Sequence, residues 1–551
     1  MNTAKKMVLV LLALLIAAGC SKKEAASSAA RYTKTAEITE KLGGWGAEWF
    51  EGRDFSTHYD IEWAGVQIDD AQDYNKGDEF PINWNERFNV TWNITSIAWG
   101  NWDERIRVWI NSGDAPEWSV YNFNHSEFIN YAQQGLIKKL PDDWKSKYPN
   151  LARSQTYVPL AKLEEDLVGG TYLLFRPLLA DHRPAKKITD HITLVARADW
   201  GIAAGYPLKE QMKISEIFDY ARAVKKANPG KVPEPFYPIH FTTNGVSMLA
   251  MNNFSNAGYA NKSEYYKGKD GKYHWGPSDP KILEALKLIS AAYKEGLIDR
   301  EFYTLQDPDD RARFYTAGIS AVANQTAMAV GMIRQQQSMS TDLGIPYDDY
   351  LKTVQWITVL GEDGKYHNGS LMQNFWGANV FSSKVSDAEL TRYLEMLDYS
   401  CTEPGQLEIR LGVKDVDWKM QDNGEPISLL GPDQDLWTNR AMLPIWVNMQ
   451  ILSDDFQFVN PGYPKWARDL CAKMYRDREA FSDDETVLPE PDMDLYLYSS
   501  REMNQATYNY AEEYSNLIIA PGDIEANWKK WVADKMPMIQ PVLDQLNAIK
   551  K

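Results

Sequence analysis

Residues 101–140, NWDERIRVWINSGDAPEWSVYNFNHSEFINYAQQGLIKKL, read as a complete helix–strand–helix unit. Asp103 and Glu104 suit a helix N-terminus, and Ile106, Trp109 and Ile110 give that helix an apolar face. Gly113 can take the left-handed position that ends it, and Asp114-Ala115-Pro116 forbids continuation. Trp118, Val120 and Asn122 alternate with Tyr121 and Phe123 as a short strand. Ser126 is then a candidate N-cap for a second helix that stops at Gly135. In an open α/β sheet, ligands sit beyond the carboxyl ends of strands. Here those positions are Phe123, Asn124, His125 and Glu127.

The same alternation extends in both directions. His58–Val66 and Asn89–Thr95 read as strands flanking a short helix at Ile82–Phe88, so the chain opens β-α-β-α-β-α. Downstream, Tyr172–Phe175 and Ile192–Ala196 read as strands. Ser215–Ala227 reads as an amphipathic helix capped by Ser215 and ended by Asn228-Pro229-Gly230. Pro280–Glu295 is a helix stopped by Gly296, and Ser386 with Glu389 forms a capping box. A chain of 551 residues exceeds one ordinary domain, so two lobes with separate cores are expected.

A net charge of −17, spread along the chain, argues against nucleic-acid binding, which needs a basic stripe. The 20 Trp, 30 Tyr and 18 Phe fit either a large core or an aromatic-lined ligand groove. The seven histidines make no HxH, HExxH or Cys–His pair, and no nucleophile elbow or phosphate loop is present. Nothing nominates the carboxylate pair that a glycoside hydrolase needs. No catalytic residue, metal site or cofactor is therefore expected.

At the N-terminus, Lys5 and Lys6 precede the apolar run Met7–Ala18, which is too short for an ordinary membrane span. It closes on Ala17-Ala18-Gly19-Cys20, which resembles a bacterial lipobox, with Ala17 where Leu, Val or Ile is usual. Residues 1–19 would then be a signal peptide, Cys20 the lipidated residue, and the small polar residues after it a spacer. Cys401 and Cys471 remain, as one disulfide or as two buried thiols.

The run Ser112-Gly113-Asp114-Ala115-Pro116, a strand, and Tyr131-Ala132-Gln133-Gln134-Gly135-Leu136-Ile137 together resemble the family 1 extracellular solute-binding proteins. Tyr148-Pro149-Asn150, Arg197-Ala198-Asp199-Trp200, Glu295-Gly296-Leu297-Ile298-Asp299 and the closing helices after Gly522-Asp523-Ile524 extend the similarity over most of the chain. The resemblance implies a two-lobed periplasmic-binding-protein-like II fold, class α/β, with a ligand cleft between the lobes. It divides the chain into a spacer to 52, a first lobe over 53–177, a second over 178–356, a return over 357–400, and second-lobe and C-terminal helices over 401–551. It implies capture of a carbohydrate, specifically an oligosaccharide, for an ABC permease by a monomer held at the extracytoplasmic membrane face through its lipid.

By alignment with that family, the ligand-binding groups are Gln67, Phe123, Asn124, His125 and Glu127 from the first lobe. Arg176, His240, Phe241, Asn324, Gln325, Trp376 and Trp446 come from the crossings and the second lobe. Sugar sites combine flat aromatic faces with polar groups that satisfy hydroxyls. The family's acidic calcium loop is replaced by NPGKVPEPFYP, so no bound calcium is expected. The alternatives are a peptide or other small solute as cargo, a secreted glycan hydrolase, or a surface adhesin.

Overall fold

The computed structural model describes residues 32–66, 73–97, 102–121, 125–187, 189, 191–254, 265–306, 309–367, 374–431, 436, 440–441, 456–489 and 492–549. Its strands in chain order are β1 (Tyr59–Val66), β2 (Val90–Ile97), β3 (Trp118–Tyr121), β4 (Leu173–Pro177), β5 (Ile192–Arg197) and β6 (Gln211–Lys213). They continue with β7 (Tyr265–Lys267), β8 (Tyr273–Trp275), β9 (Val322–Thr326), β10 (Val354–Leu360), β11 (Phe375–Phe381), β12 (Trp418–Met420) and β13 (Pro426–Ser428).

Two main sheets result. The first has the order β2-β1-β3-β11-β4, with β1 parallel to β2 and β3 and with β11 antiparallel to both its neighbours. The second has the order β6-β10-β5-β9, with β5 antiparallel to β10 and β9. Alternate residues of the second sheet enter two cores: Leu194 and Ala196 face one, Val195 the other. A sheet covered on both faces reads as a continuous apolar run, as ITLVAR nearly does.

The opening unit folds as read, with small shifts. The first helix is Trp102–Ser112, and Gly113 ends it at φ +73°. β3 is buried at all four residues, because it lies between β1 and β11, so the expected alternation of inner and outer faces is absent. The second helix is His125–Gln133, so Ser126 lies inside it rather than at its cap. Ser215 is displaced likewise. Its helix is Ile214–Ala227, and Ser215 instead donates from its N–H and hydroxyl to Glu362 at 2.9 and 2.8 Å. The Ser386–Glu389 capping box forms as expected, with reciprocal bonds of 2.8 and 3.2 Å.

Three expected boundaries move. β10 carries the second sheet through Leu360, past the boundary at 356/357. Residues 403–431 pack on the first lobe, not the second: Ile409 and Val413 join its core, as does Ala441. The helices Lys34–Lys41 and Ala47–Phe50, within the supposed spacer, pack there too through Ile38, Leu42 and Phe50.

The charge that fixes these additions is Arg87, fully buried. Its Nη1 binds both oxygens of Glu408 at 2.9 and 3.2 Å, and its Nη2 donates to Trp45 O and Tyr399 Oη at 3.1 and 2.9 Å. Phe50 and Tyr399 stack against the guanidinium at 4.3 and 5.0 Å. Much of the aromatic content is spent in this way: Trp49, Phe50, Phe55, Trp84, Phe88 and Tyr399 form one packed cluster.

Cys401 and Cys471 lie in different cores and carry free thiols, so the disulfide alternative fails. Burial pushes the Cys401 thiol up to about 12, and Cys471 donates to Ala327 O at 3.2 Å. No helix among the described residues is long and apolar enough to cross a membrane.

Candidate ligand site at the sheet edges

Strand direction locates the site. β1, β2, β3 and β4 all run the same way, so Val66, Ile97, Tyr121 and Pro177 end on one edge of the first sheet. β11 begins on that edge, with Phe375 opposite Pro177. In the second sheet, β5 begins at Ile192, opposite Thr326 at the end of β9. β10 runs antiparallel to β5 and ends at Leu360 on the same side. The chain crosses from Pro177 to Ile192 and returns from Leu360 to Phe375. Both crossings therefore join the carboxyl edge of the first sheet to this edge of the second, the place where open α/β folds bind ligands.

The second-lobe candidates converge on that edge. Ile239 bridges Val322 in parallel register, so His240, Phe241 and Thr242 advance beside the residues of β9. The helix Thr243–Met251 starts there, and the Thr242 hydroxyl caps it by accepting from Gly245 N–H at 3.3 Å. A Cβ on Gly245 would come within 3.5 Å of Asn324 Nδ2, so this helix N-terminus and Asn324 are neighbours. Helix N-termini present N–H groups that suit oxygen ligands. The Asn324 amide donates to Met248 sulfur at 3.6 Å, a weak acceptor that a hydroxyl could displace. Gln325 Oε1 accepts from the N–H of Thr326, the residue next to it, at 2.8 Å.

His240 and Phe241 take other roles. Phe241 is fully buried in the second-lobe core, as the side-chain alternation after Ile239 requires, so it offers no stacking face. His240 lies behind the edge, 3.8 Å from Asp299, whose carboxylate pairs with Arg313 at 2.7 Å. Burial pushes the imidazole down to about 4, against the pull of Asp299, so it is neutral near pH 7. Its Nδ1 is buried without a partner.

On the first-lobe side, Arg176 lies on β4, one residue before the strand end, and is nearly buried. Glu127 stands in the first turn of the helix beyond β3. Arg107 binds it at 2.6 Å and the Tyr121 hydroxyl donates to it at 3.4 Å, so it ties two helices to the strand. His125 opens that helix, and Trp376 lies within β11 next to Phe375; both backbones sit at the edge. Gln67, Phe123, Asn124, Trp446 and Cys20 lie outside the described residues.

Sequence reasoning missed the Thr242 cap, although Thr-Thr-Asn-Gly before an apolar run is a readable helix start. Among the described residues no group of three His, Cys, Asp or Glu is placed to hold a metal. Asn228 closes the turn that follows its helix: its amide bonds Val232 N–H and C=O at 2.9 and 2.8 Å.

No family model and no curated protein matches the sequence. Solved structures do match over nearly the whole chain. The alginate-binding protein AlgQ2, without calcium ion, is 15% identical with a TM-score of 0.62, over 89% of this chain and 97% of that one. An HMO-binding, ABC-transporter-associated solute-binding protein from Bifidobacterium longum infantis is 16% identical with a TM-score of 0.60, over 89% and 98%. The S. pneumoniae ABC-transporter substrate-binding protein FusA, in complex with kestose, is 16% identical with a TM-score of 0.57, over 89% and 100%. The chain thus has the two-lobed α/β fold of the extracellular solute-binding proteins of ABC transporters, with its sheet edges meeting at the crossings.

Proposed function

We propose that this protein captures an oligosaccharide between its lobes and delivers it to an ABC permease. The observation that carries the reading is the junction of two sheet edges at the crossings, with Asn324, Gln325 and a helix N-terminus on the second-lobe side. These are neutral donors and acceptors, the chemistry that hydroxyls need. The similar structures named above were solved as binders of alginate, HMO and kestose. Sugar bound across the junction favours the closed arrangement by its extra contacts there, and the closed form is what the permease receives. Lipid on Cys20 holds the protein at the extracytoplasmic face. The protein acts as a monomer without catalysis.

Thermal unfolding of residues 21–551 against a panel of oligosaccharides, with product analysis, tests this. A sugar at 100 times its dissociation constant adds about 2.7 kcal/mol and raises the midpoint while remaining intact. Cleavage of the sugar would replace the reading with a hydrolase. A panel that shifts nothing, beside a peptide that does, would replace the cargo.

A further inference from the structure

A second buried arginine contrasts with Arg87. Arg478, near the end of the helix Lys465–Ala480, has no exposed surface, and its Nε, Nη1 and Nη2 all lack a hydrogen-bond partner among the described residues. An arginine side chain cannot shed its proton to escape burial, so the charge stays. The rings of Tyr475 and Tyr366 lie 5.6 and 5.8 Å from the guanidinium carbon, which offsets part of the cost and satisfies none of the N–H groups. The flanking carboxylates are committed elsewhere. Asp477 accepts from Lys473 and Gln211 at 2.6 and 3.0 Å, and Glu479 from the N–H groups of Lys186 and Lys187 at 2.9 and 3.0 Å.

Those bonds also place Arg478. Glu479 holds the first crossing, and Phe481 O accepts from Tyr366 N–H of the second crossing at 2.8 Å. Each crossing brings one more buried, unpartnered polar atom: Thr189 Oγ1 from the first and His367 Nδ1 from the second. His367 Nε2 faces the Asp363 carboxylate at 2.9 Å and so carries the imidazole proton, leaving Nδ1 as an acceptor. The three N–H-bearing atoms of Arg478 thus lie unsatisfied on a helix that both crossings bond. Native structures fill such groups with water or an ion.

We propose that this junction binds a small monovalent anion of the halide class on Arg478. Because Arg478 lies on a helix bonded to both crossings, the anion sits where the two connections between the sheets meet.

Bromide is the probe. Crystals of the soluble protein grown in sodium bromide should show an anomalous peak within hydrogen-bond reach of Arg478. At equal ionic strength, chloride should raise the unfolding midpoint above its value in the bulky anion isethionate, and R478M should abolish that difference. A water-only density at Arg478, or a chloride response that R478M retains, would overturn the proposal. If R478M fails to fold, the bromide map on the unaltered protein decides.

Discussion

Arg87 and Arg478 are both fully buried, yet they sit in opposite circumstances. Arg87 has a carboxylate, a hydroxyl and a carbonyl on its two terminal nitrogens, within a packed aromatic cluster. Arg478 has two rings beside it and, among the described residues, no acceptor. The first stands in the body of one lobe, where nothing has to move. The second stands beside the crossings that join the two sheets. The same division recurs among uncharged groups: Trp118 in the first sheet donates to Asn379 at 3.0 Å, whereas Asn324 at the sheet edge donates to a thioether. The contrast is one of degree: Arg87 Nε and Trp63 Nε1 are also buried without a partner among the described residues, whereas Arg478 carries three such atoms on one side chain.

The largest effect expected from that contrast is on stability. Arg87→Met or Glu408→Gln strands a buried charged or hydrogen-bonding partner and should cost about 3–5 kcal/mol in urea unfolding. Arg478→Met, measured in isethionate, removes a charge that has no partner to strand and should cost less than about 1 kcal/mol. Equal losses would break the contrast.

Next in size is ligand affinity. Asn324→Ala with Gln325→Ala should weaken sugar binding by about 1–3 kcal/mol, roughly tenfold or more, because bound hydroxyls lose their partners. The unliganded midpoint should move less than the affinity, since Asn324 donates only to a thioether and Gln325 bonds the N–H of the adjacent Thr326. Calorimetric titration reads the first quantity and a thermal scan the second.

A smaller effect concerns pH. Burial lowers His240 to about 4 from an ordinary 6.5, so between those values the unfolded chain binds the extra proton. Stability therefore rises with pH across that window and is lost as pH falls from 6.5 towards 4. His240→Asn should flatten that part of the profile relative to the unaltered protein, while leaving the profile above pH 7 unchanged. An identical slope in both would show that His240 does not titrate as its burial requires.

The helix–strand–helix unit was legible because Gly113, Pro116 and Gly135 punctuate it locally, and capping at Ser386 rests on residues three apart. Tertiary position was less legible. Phe241 reads the same as a stacking face or a core ring until the bridge from Ile239 to Val322 fixes which way it points. Residues 403–431 follow the second lobe in sequence but pack on the first, because Glu408 answers a buried arginine 321 positions away. Ser215 is a sound cap in isolation, and Glu362 on a distant turn claims it. Long-range partners of single charges leave no periodic trace. Lobe-to-lobe assignments therefore moved while element types held.

The central claim, that ligand bridges the two sheet edges, is tested most directly by hydrogen–deuterium exchange with and without the stabilising sugar. The account predicts protection in two separate places: amides of residues 125–128 beyond β3, and amides of residues 242–246 with 324–327 across the crossings. Protection confined to one of these edges, or lying on an outer face of either lobe, would contradict it.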